Sequence, residues 1–338
     1  MDDDFFILGI ESSCDDTSVA ITNKNHVLSN IISSQLVHNQ YGGVVPEIAS
    51  REHMKNIVPV LKKALEVSKI DLNEIDLIAY TNGPGLSGSL IVGSSFAKSL
   101  AQTLSIPMTD VDHMKAHIHS IFLKNERNRY PKFPFLSLTV SGGHTQLVVV
   151  NNFNDFKKIG NTLDDAAGEA FDKTSKFLGL GYPGGPIIDN LSKKGNPIFK
   201  FSKPKIKDYD FSFSGLKTSI IYSIKKELKE NSKFIEENIN DLCSSIQHSI
   251  VEILVEKTIK CAIDLNIKQI CIVGGVSANS HLREKLNFKC QMNKFDLFYP
   301  KINYCTDNAA MIAVSGYFNN LNKKFSDLDK VIDSRLSF

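Results

Sequence analysis

The chain has 338 residues, of which 42% are hydrophobic and 22% are charged, and its formal net charge at pH 7 is +2. This length allows two domains with sizeable cores, and the near-neutral charge excludes a chain-wide basic surface for nucleic acid. No apolar run is long enough to cross a membrane, and the six cysteines show no C-x-x-C spacing, so we expect reduced thiols in a cytoplasmic protein without membrane attachment.

Two stretches of the chain follow one plan of apolar strand, polar turn and alternating strand. They read FFILGIESSCDDTSVAITN and FPFLSLTVSGGHTQLVVVNN, and their alignment places Thr17 against Thr145. One such unit in each half is typical of a duplicated α/β fold with two lobes, each of which offers a hairpin turn to a shared cleft.

Helix and strand alternate through the rest of the sequence. The pattern predicts helices over 46–68, 87–104 and 214–267, strands at DLIAYTNGPG, 108–111, KQICIVGG and FDLFYP, and further helices at HMKAHIH, DDAAGEAFDKTSKFLG, SANSHLREKL and TDNAAMIAVSGYF. The charged, proline-rich NERNRYPKFP separates the halves. We therefore expect an N-terminal lobe over 1–133, a C-terminal lobe with a helical insertion over 134–322, and a tail over 323–338.

The stretch HMKAHIH places His113 and His117 four residues apart, so that one helix face presents both imidazoles to a cation. The zinc-protease pattern H-E-x-x-H also needs a carboxylate directly after the first His, but Met114 stands there, which disfavours peptide hydrolysis. A third ligand is needed, and Asp307 at a strand-to-helix junction qualifies by chemistry. Two imidazoles and one carboxylate suit divalent Fe or Zn.

Glycine-rich segments mark several junctions between elements. SGGHT and VGGVSAN each follow an apolar strand, so their N–H groups could hold an anion such as phosphate, although a turn without a ligand is the alternative. For GPGLSGSL we favour a turn in which Ser87 or Ser89 caps the next helix. Near YPGGP, the carboxylates of Glu169, Asp172 and Asp189 could hold ligand hydroxyls or an amine, or cap a helix.

Two charged segments have alternative interpretations. The turn IESSCDDT gathers Glu11, Asp15 and Asp16, which suits a metal, an amine or proton transfer, but a solvated self-capping turn fits equally. The run KKGNPIFKFSKPKIK over 193–207 interleaves six lysines with Phe199 and Phe201, and this surface could contact an RNA backbone and stack a base. A solvated loop is the ordinary interpretation of such a run.

Nine segments occur in the order GIESSCDDTSVAI, GGVVPEIASREH, NGPGLSGSL, HMKAH, VSGGHTQLV, DDAAGEAFDKTSKFLGLGYPGGP, FSFSGLKT, GGVSANSHLR and YCTDNAAMIA. Together they resemble the TsaD family, the tRNA adenosine threonylcarbamoyltransferases formerly described as O-sialoglycoprotein endopeptidases. The resemblance spans residues 5–320. It implies an actin-like, sugar-kinase-like α/β fold of two duplicated lobes around a central cleft. It also implies transfer of threonylcarbamoyl from its adenylate to the exocyclic amine of the adenosine beside the anticodon, in tRNAs reading codons that begin with A, with release of AMP.

The resemblance also implies roles for particular residues. The metal ligands are His113, His117 and Asp307, with Fe(II) favoured and Zn as the alternative, and Asp15 is the catalytic acidic residue. The adenylate-binding set is Thr139, Val140, Ser141, Gly142, Gly143, Asp172, Gly185, Asp189 and Asn279. Thr139 and the His of SGGHT follow the bacterial and organellar style, so we expect a TsaB-like paralogue and a TsaE-like ATPase as partners, beside tRNA and threonylcarbamoyl-adenylate.

Three other functions compete with this one. An O-carbamoyltransferase that uses carbamoyl-adenylate shares the fold and motifs, but usually includes a further domain that 338 residues leave little room for. A metalloprotease lacks its general base. A nucleotide-binding scaffold of the TsaB type has the fold without the metal site, and the presence of His113, His117 and Asp307 argues against it.

Overall fold

The structure is a computed structural model that describes residues 4–125 and 129–337. The chain forms two compact units, Met1–Tyr130 with Pro300–Phe338, and Pro131–Tyr299. The first division falls beside the proline-rich segment that we expected to separate the lobes. Residues 300–322, which the sequence analysis assigned to the second lobe, instead belong to the first unit, because their helix packs on the first sheet.

The first unit contains a five-stranded sheet in the order β3-β2-β1-β4-β5, in which β1–β3 are antiparallel and β1, β4 and β5 are parallel. Its strands are β1 (Phe6–Glu11), β2 (Asp16–Asn23), β3 (His26–Ser34), β4 (Leu77–Gly83) and β5 (Met108–Asp112). Its helices are α1 (Pro46–Ser68), α2 (Ser87–Leu104), α3 (His113–His119) and, from the end of the chain, α9 (Ala309–Leu321).

Both faces of this sheet are covered, which explains why β1 and β4 read as apolar runs. Alternate side chains of β1 point to opposite faces: Leu8 and Ile10 pack with α1 and α2, whereas Ile7 packs with α3 and α9. Strand β3 was not predicted from the sequence. The sequence feature that could have predicted this strand is the apolar and β-branched run after a short turn. In the structure Lys24 lies in that turn with a φ of 54°.

The segment after α9 is not the free tail that the sequence analysis expected. It lies along β5 and past the carboxyl end of β4 through four hydrogen bonds to backbone atoms: Ser326 N to Met108 O (2.9 Å), Asp110 N to Ser326 Oγ (2.8 Å), Asp333 N to Asn82 O (2.9 Å) and Gly85 N to Ser334 O (3.2 Å). Gly83, with a φ of 154°, permits this approach, because a Cβ would lie 1.7 Å from the Asp333 carbonyl oxygen. We call residues 326–337 the C-terminal strap.

The second unit repeats the topology of the first. Its sheet has the order β10-β9-β6-β7-β8, again with three antiparallel strands followed by two parallel ones. Its strands are β6 (Phe135–Val140), β7 (Thr145–Val150), β8 (Phe156–Asn161), β9 (Gln269–Val273) and β10 (Asp296–Phe298). Its helices are α4 (Ala167–Phe177), α5 (Gly184–Ser192), α6 (Ser214–Glu230), α7 (Phe234–Asp264) and α8 (Ser280–Asn293). Strand β8, like β3, is missing from the sequence analysis.

The lysine-rich segment 193–207 runs alongside α7. Phe199 N donates to Ser245 Oγ (3.0 Å), Lys203 pairs with Glu252, and Phe199 and Phe201 pack against the core of the second unit. Both rings are only partly buried, so stacking on a base stays a prediction. The lysines that remain exposed are Lys193, Lys194, Lys200, Lys205 and Lys207.

Within residues 4–125 and 129–337, none of the helices combines the length and the apolar character that a membrane span requires.

Candidate metal centre and nucleotide-binding surface

His113 and His117 lie on α3, which begins directly after β5 at the carboxyl edge of the first sheet. Their spacing puts both imidazoles on one helix face, and the ring centroids are 4.7 Å apart. Asp112 caps α3, since its carboxylate accepts hydrogen bonds from the N–H groups of Met114 (2.8 Å) and Lys115 (3.1 Å). Asp112 is therefore committed to the helix start, and a third ligand has to come from elsewhere.

Asp307 approaches the two histidines from just before α9. Asn308 caps this helix, and Ala309 N donates to Ser18 Oγ on β2 (2.9 Å). Gly9 on β1 lets the helix backbone come close, because a Cβ there would lie 2.3 Å from the Ala309 carbonyl oxygen. The first two strands thus fix the start of α9, and with it the position of Asp307.

The three side chains converge on one point. Oδ1 of Asp307 lies 3.4 Å from Nε2 of His113 and 3.1 Å from Nε2 of His117, and one ligand atom from each residue lies within 4.8 Å of the other two. Two ligands about 2.1 Å from one ion, at a right or tetrahedral angle, are separated by roughly 3.0–3.4 Å. The group therefore fits one metal ion, and its two nitrogens and one carboxylate suit divalent Fe or Zn.

The charges at this group reinforce one another. Burial opposes the charge on His113, but Glu11 and Asp307 hold its pKa well above its ordinary value. Burial likewise opposes the charge on Asp307, yet the two imidazoles hold its pKa well below its usual range. A metal that binds here must displace the proton from His113. The carboxylate of Asp307 is already ionised and needs no such displacement.

The acidic turn between β1 and β2 is held rigidly from outside. Three successive carbonyl groups accept hydrogen bonds from other elements: Ser13 O from Leu86 N (2.8 Å), Cys14 O from His53 Nε2 (2.9 Å) and Asp15 O from Gln35 N (3.2 Å). With its backbone fixed in this way, the turn can present its carboxylates in a defined geometry, as general acid–base chemistry requires.

The carboxylates of the turn differ in environment. Asp15 is half-exposed. Burial raises the pKa of Asp16 to about 7, against a hydrogen bond from Ser34, and the nearby carboxylates of Asp307 and Asp15 add to the rise. Burial also raises the pKa of the Cys14 thiol far above its usual range, so this cysteine is not an activated nucleophile. The turn therefore suits proton transfer or orientation of an amine.

The second unit places a glycine-rich turn at the equivalent position. Ser141 N donates to His144 O (2.9 Å) and closes the turn between β6 and β7. A Cβ added at Gly142, at Gly143 or at Gly185 in the first turn of α5 would find no atom within 4 Å. These three glycines thus leave open space beside backbone N–H groups, as an anion site needs.

The end of β6, just before the turn, is buried. Thr139 and Val140 are 0% exposed, so neither residue offers a surface to a ligand, and both serve to hold the turn in place. Gly274, with a φ of 89°, lies against the Val140 carbonyl oxygen, which a Cβ there would approach to 2.3 Å. Gly168 at the start of α4 would place a Cβ 2.4 Å from the Ser141 carbonyl oxygen. The close packing brings the starts of α4 and of the turn after β9 to the end of β6.

The two aspartates assigned to the adenylate site bind helix starts. Asp172 Oδ1 accepts from Gly184 N (2.7 Å) at the start of α5, and burial raises the pKa of Asp172 against this bond. Asp189 Oδ1 accepts from Ser280 Oγ (2.7 Å) at the start of α8. The helix-capping interpretation thus describes Asp172, whose carboxylate also accepts from Gly185 N. The other oxygen of Asp189, Oδ2, lies 3.5 Å from Nζ of Lys193.

Asn279 is also occupied within the second unit. Its Oδ1 caps α8 by accepting from Leu282 N (2.9 Å), and its Nδ2 donates to Gln247 Oε1 (2.7 Å). Gln247 in turn donates to Ser192 Oγ (2.7 Å) at the end of α5. This chain of bonds ties α5, α7 and α8 together, so Asn279 shapes the surface and leaves only its backbone for a ligand.

One prediction from the sequence, the cap of α2, is wrong, and one buried histidine was not predicted to have a role. The expectation that Ser87 or Ser89 caps α2 is wrong: Leu86 occupies the cap position without a side-chain bond, and Ser89 Oγ donates to Cys14 O (3.2 Å). His53 was missed, although it lies on the buried face of α1 with apolar residues. A histidine on such a face was the available signal, because a buried imidazole needs partners.

The fold is an actin-like, sugar-kinase-like α/β fold with a duplicated sheet, as predicted. The crystal structure of full-length HypF, in a phosphate- and nucleotide-bound form, matches 94% of this chain with a TM-score of 0.60 at 12% identity, and the chain covers 46% of that protein. The activator of the 2-hydroxyisocaproyl-CoA dehydratase from Clostridium difficile, with bound ADPNP, matches 96% of this chain with a TM-score of 0.53 at 12% identity, and 99% of that protein is covered. At such low sequence identities these matches show the fold alone.

The sequence defines the family within this fold. The model of the TsaD family, described as tRNA N6-adenosine threonylcarbamoyltransferase, matches residues 26–314. Proteins of that name from Phocaeicola vulgatus and Riemerella anatipestifer are 52% identical over 337 residues and 53% identical over 330 residues, with 99% and 97% of each chain covered. The chain belongs to the TsaD family, and the resemblance seen in the sequence is confirmed.

Proposed function

We propose that the protein transfers the threonylcarbamoyl group from threonylcarbamoyl-adenylate to the exocyclic amine of the adenosine adjacent to the anticodon, in tRNAs that read codons beginning with A. AMP is released. The observation that supports this most is the full-length similarity to threonylcarbamoyltransferases, together with the grouping of His113, His117 and Asp307. The site of action that follows from a tRNA substrate is the cytoplasm.

The second unit would bind the adenylate. Gly142, Gly143 and Gly185 leave open space where a side chain would stand, and the backbone N–H groups of the turn at Gly142 and Gly143 would hold the phosphate. The carboxylates of Asp189 and Asp172 would contact ligand hydroxyls, and Ser141 and Asn279 would contribute through their backbone. Thr139 and Val140, which are buried, would hold the turn in place. This site needs no P-loop, because the bond that breaks joins a carbonyl carbon to the phosphate oxygen and no phosphoryl group moves.

His113, His117 and Asp307 would hold one divalent metal, with Fe(II) favoured over Zn. When bound, the metal supplies a Lewis acid for the carbonyl or the phosphate. The amine nitrogen of adenosine attacks the carbonyl carbon, the carbon–oxygen bond to the phosphate breaks, and AMP leaves with the electron pair. Asp15, on the rigid acidic turn, would orient the amine and accept the proton that it loses.

We further propose that the protein works with a TsaB-like paralogue and a TsaE-like ATPase. The basis is that Thr139 and the His of SGGHT are the residues typical of the bacterial and organellar members of the family. Exposed lysines of 193–207 are a candidate contact for the tRNA backbone, since this run has no acidic residue and phosphate contacts come mainly from Lys and Arg.

The test is transfer of labelled threonylcarbamoyl from synthetic threonylcarbamoyl-adenylate to unmodified tRNA, with the partner proteins present and absent. We expect transfer by the wild type and its loss in His113→Ala and Asp15→Asn. Asp16→Asn serves as the matched comparison, because it removes the neighbouring carboxylate and so separates a specific role of Asp15 from the charge of the turn. A folded protein that binds metal and AMP but transfers nothing with competent partners would contradict the proposal and favour a carbamoyltransferase or a scaffold.

A further inference from the structure

Glu11 is a carboxylate with no exposed surface at the end of β1. The register of β1 with β4 puts Thr81 beside it, and Thr81 Oγ1 donates to its Oε2 (2.6 Å). Ser13 N donates to its Oε1 (2.5 Å). An ionised carboxylate is costly to bury unless donors surround it, and a third donor is supplied by His113, whose Nδ1 lies 3.1 Å from Oε2 of Glu11.

The imidazole of His113 therefore has a carboxylate at each of its two nitrogens. Glu11 faces Nδ1, whereas Asp307 faces Nε2 at 3.4 Å. Among the described residues, the group whose atoms could share one metal contains His113, His117 and Asp307 but not Glu11. Glu11 is thus on the side of the ring away from the ion position, and it can act on a metal only through the histidine.

A histidine that binds a metal through Nε2 must carry its ring proton on Nδ1. A carboxylate at Nδ1 accepts that proton in a hydrogen bond, which fixes the tautomer and the ring orientation and makes Nε2 a better ligand. We propose that Glu11 is a positioning residue of this kind for His113. The inference rests on the metal centre of the proposed function, and it assigns a role to a residue outside the ligand set.

His117 provides an internal contrast. Its Nδ1 is buried and has no hydrogen-bond partner among the residues that the structure describes. The two imidazoles are therefore not equivalent: only His113 has its far nitrogen tied to a carboxylate. Loss of the Glu11 carboxylate should act on the metal through His113 alone.

The substitution Glu11→Gln keeps the shape and removes this function. If the glutamine oxygen keeps the bond from Ser13 N, its amide NH₂ faces Nδ1 of His113 and the Thr81 hydroxyl. A donor at Nδ1 favours the tautomer with the proton on Nε2, which cannot ligate a metal. If the amide rotates, its NH₂ faces the N–H of Ser13 instead and sets two donors against each other. The glutamine thus either favours the wrong tautomer of His113 or loses the bond from Ser13 N.

The matched control is Ser13→Ala. Ser13 Oγ lies 3.2 Å from the same Nδ1, so this change removes a polar neighbour of the ring while leaving the carboxylate and the backbone N–H of Ser13 in place. Both variants alter the same small volume, but only Glu11→Gln alters the acceptor that we hold responsible.

The experiment measures binding of Zn²⁺, and of Fe²⁺ under anaerobic conditions, to the full-length protein by competition with a chromophoric chelator, at alkaline pH where protons no longer compete for the imidazoles. Wild type and Ser13→Ala should bind with affinities within a few-fold of each other, and Glu11→Gln should bind about 10- to 100-fold more weakly. Equal binding by folded Glu11→Gln would overturn the inference and leave the metal centre intact. Failure of the wild type to bind either metal would overturn the metal centre itself.

A second measurement decides the matter if Glu11→Gln does not fold. In zinc-loaded wild type, nitrogen-15 NMR of labelled histidine should show coordination of His113 through Nε2 with a proton retained on Nδ1. Coordination through Nδ1 would overturn the inference.

Discussion

The substitution Gly185→Ala, which adds one methyl group, should affect protein stability and adenylate binding in different ways. Gly185 is the second residue of α5, and a Cβ added there would find no atom within 4 Å. Alanine is favoured over glycine in a helix by about 1 kcal/mol. Gly185→Ala should therefore leave the free energy of unfolding unchanged or raise it by up to about 1 kcal/mol.

Binding should move in the opposite direction. If the adenylate occupies the open space beside Gly185, the methyl group overpacks the complex at a cost of about 1–3 kcal/mol. At 1.4 kcal/mol per tenfold change, this corresponds to AMP affinity that is about 5- to 150-fold weaker. Isothermal titration with AMP and urea unfolding measure the two effects on the same sample.

Gly215 supplies the control. It too is the second residue of a helix, α6, and its added Cβ would make only an ordinary contact, 3.8 Å from Pro204 Cβ. Gly215→Ala should reproduce the stability effect without changing the AMP affinity. If Gly185→Ala binds AMP as tightly as Gly215→Ala does, the adenylate does not lie at the start of α5, and the reasoning from open glycines is wrong.

Three further outcomes are expected. Burial lowers the pKa of His53, so the stability that its neutral imidazole contributes to the fold should be fully present above pH about 6.5, the ordinary histidine pKa, and be lost as the pH falls below it. Urea unfolding should show this loss of stability in wild type and not in His53→Gln. Deletion of the C-terminal strap removes four backbone contacts worth about 0.5–1.5 kcal/mol each, and it should lower both the free energy of unfolding and the transfer rate, because Gly85 and Leu86 hold the acidic turn. Glutamate at Lys200, Lys205 and Lys207 should weaken tRNA binding and reduce its salt dependence by about three ion equivalents, as measured by filter binding over a salt series; an unchanged slope would place the tRNA elsewhere.

The sequence predicted those parts of the site that depend on local spacing. Residues four apart, such as His113 and His117, lie on the same face of any helix. Asp307 could be chosen because a carboxylate completes the ligand chemistry. Asp112 could not be assigned in the same way, because an acidic residue before a helix serves equally as a cap or as a ligand, and only the N–H groups that it meets decide.

The roles of Glu11 and His53 depend on contacts between distant parts of the chain. Glu11 meets Thr81 and His113 through strand register, and His53 reaches Cys14 and Thr17 from α1. A single sequence reports neither register nor helix docking, so His53 was not singled out, and Glu11 could be grouped with the acidic turn but not assigned to His113. The same limit explains why α9 was assigned to the wrong unit: chain order favours the nearer sheet, whereas its apolar face packs on β1 and β4.

The two hairpin turns show how duplication allowed different chemistry on one topology. In the first unit, the turn carbonyls accept hydrogen bonds from other elements, and under the proposed function the side chains of Asp15 and Asp16 would act on the proton and the amine. In the second unit, glycines take the place of side chains, and under the same proposal the backbone N–H groups would hold an anion. A carboxylate turn and an amide turn have opposite electrostatic preferences. Because the strands on either side are equivalent, exchange of the charged residues alone would not convert one turn into the other; the external bonds from His53 and Leu86 would have to move as well.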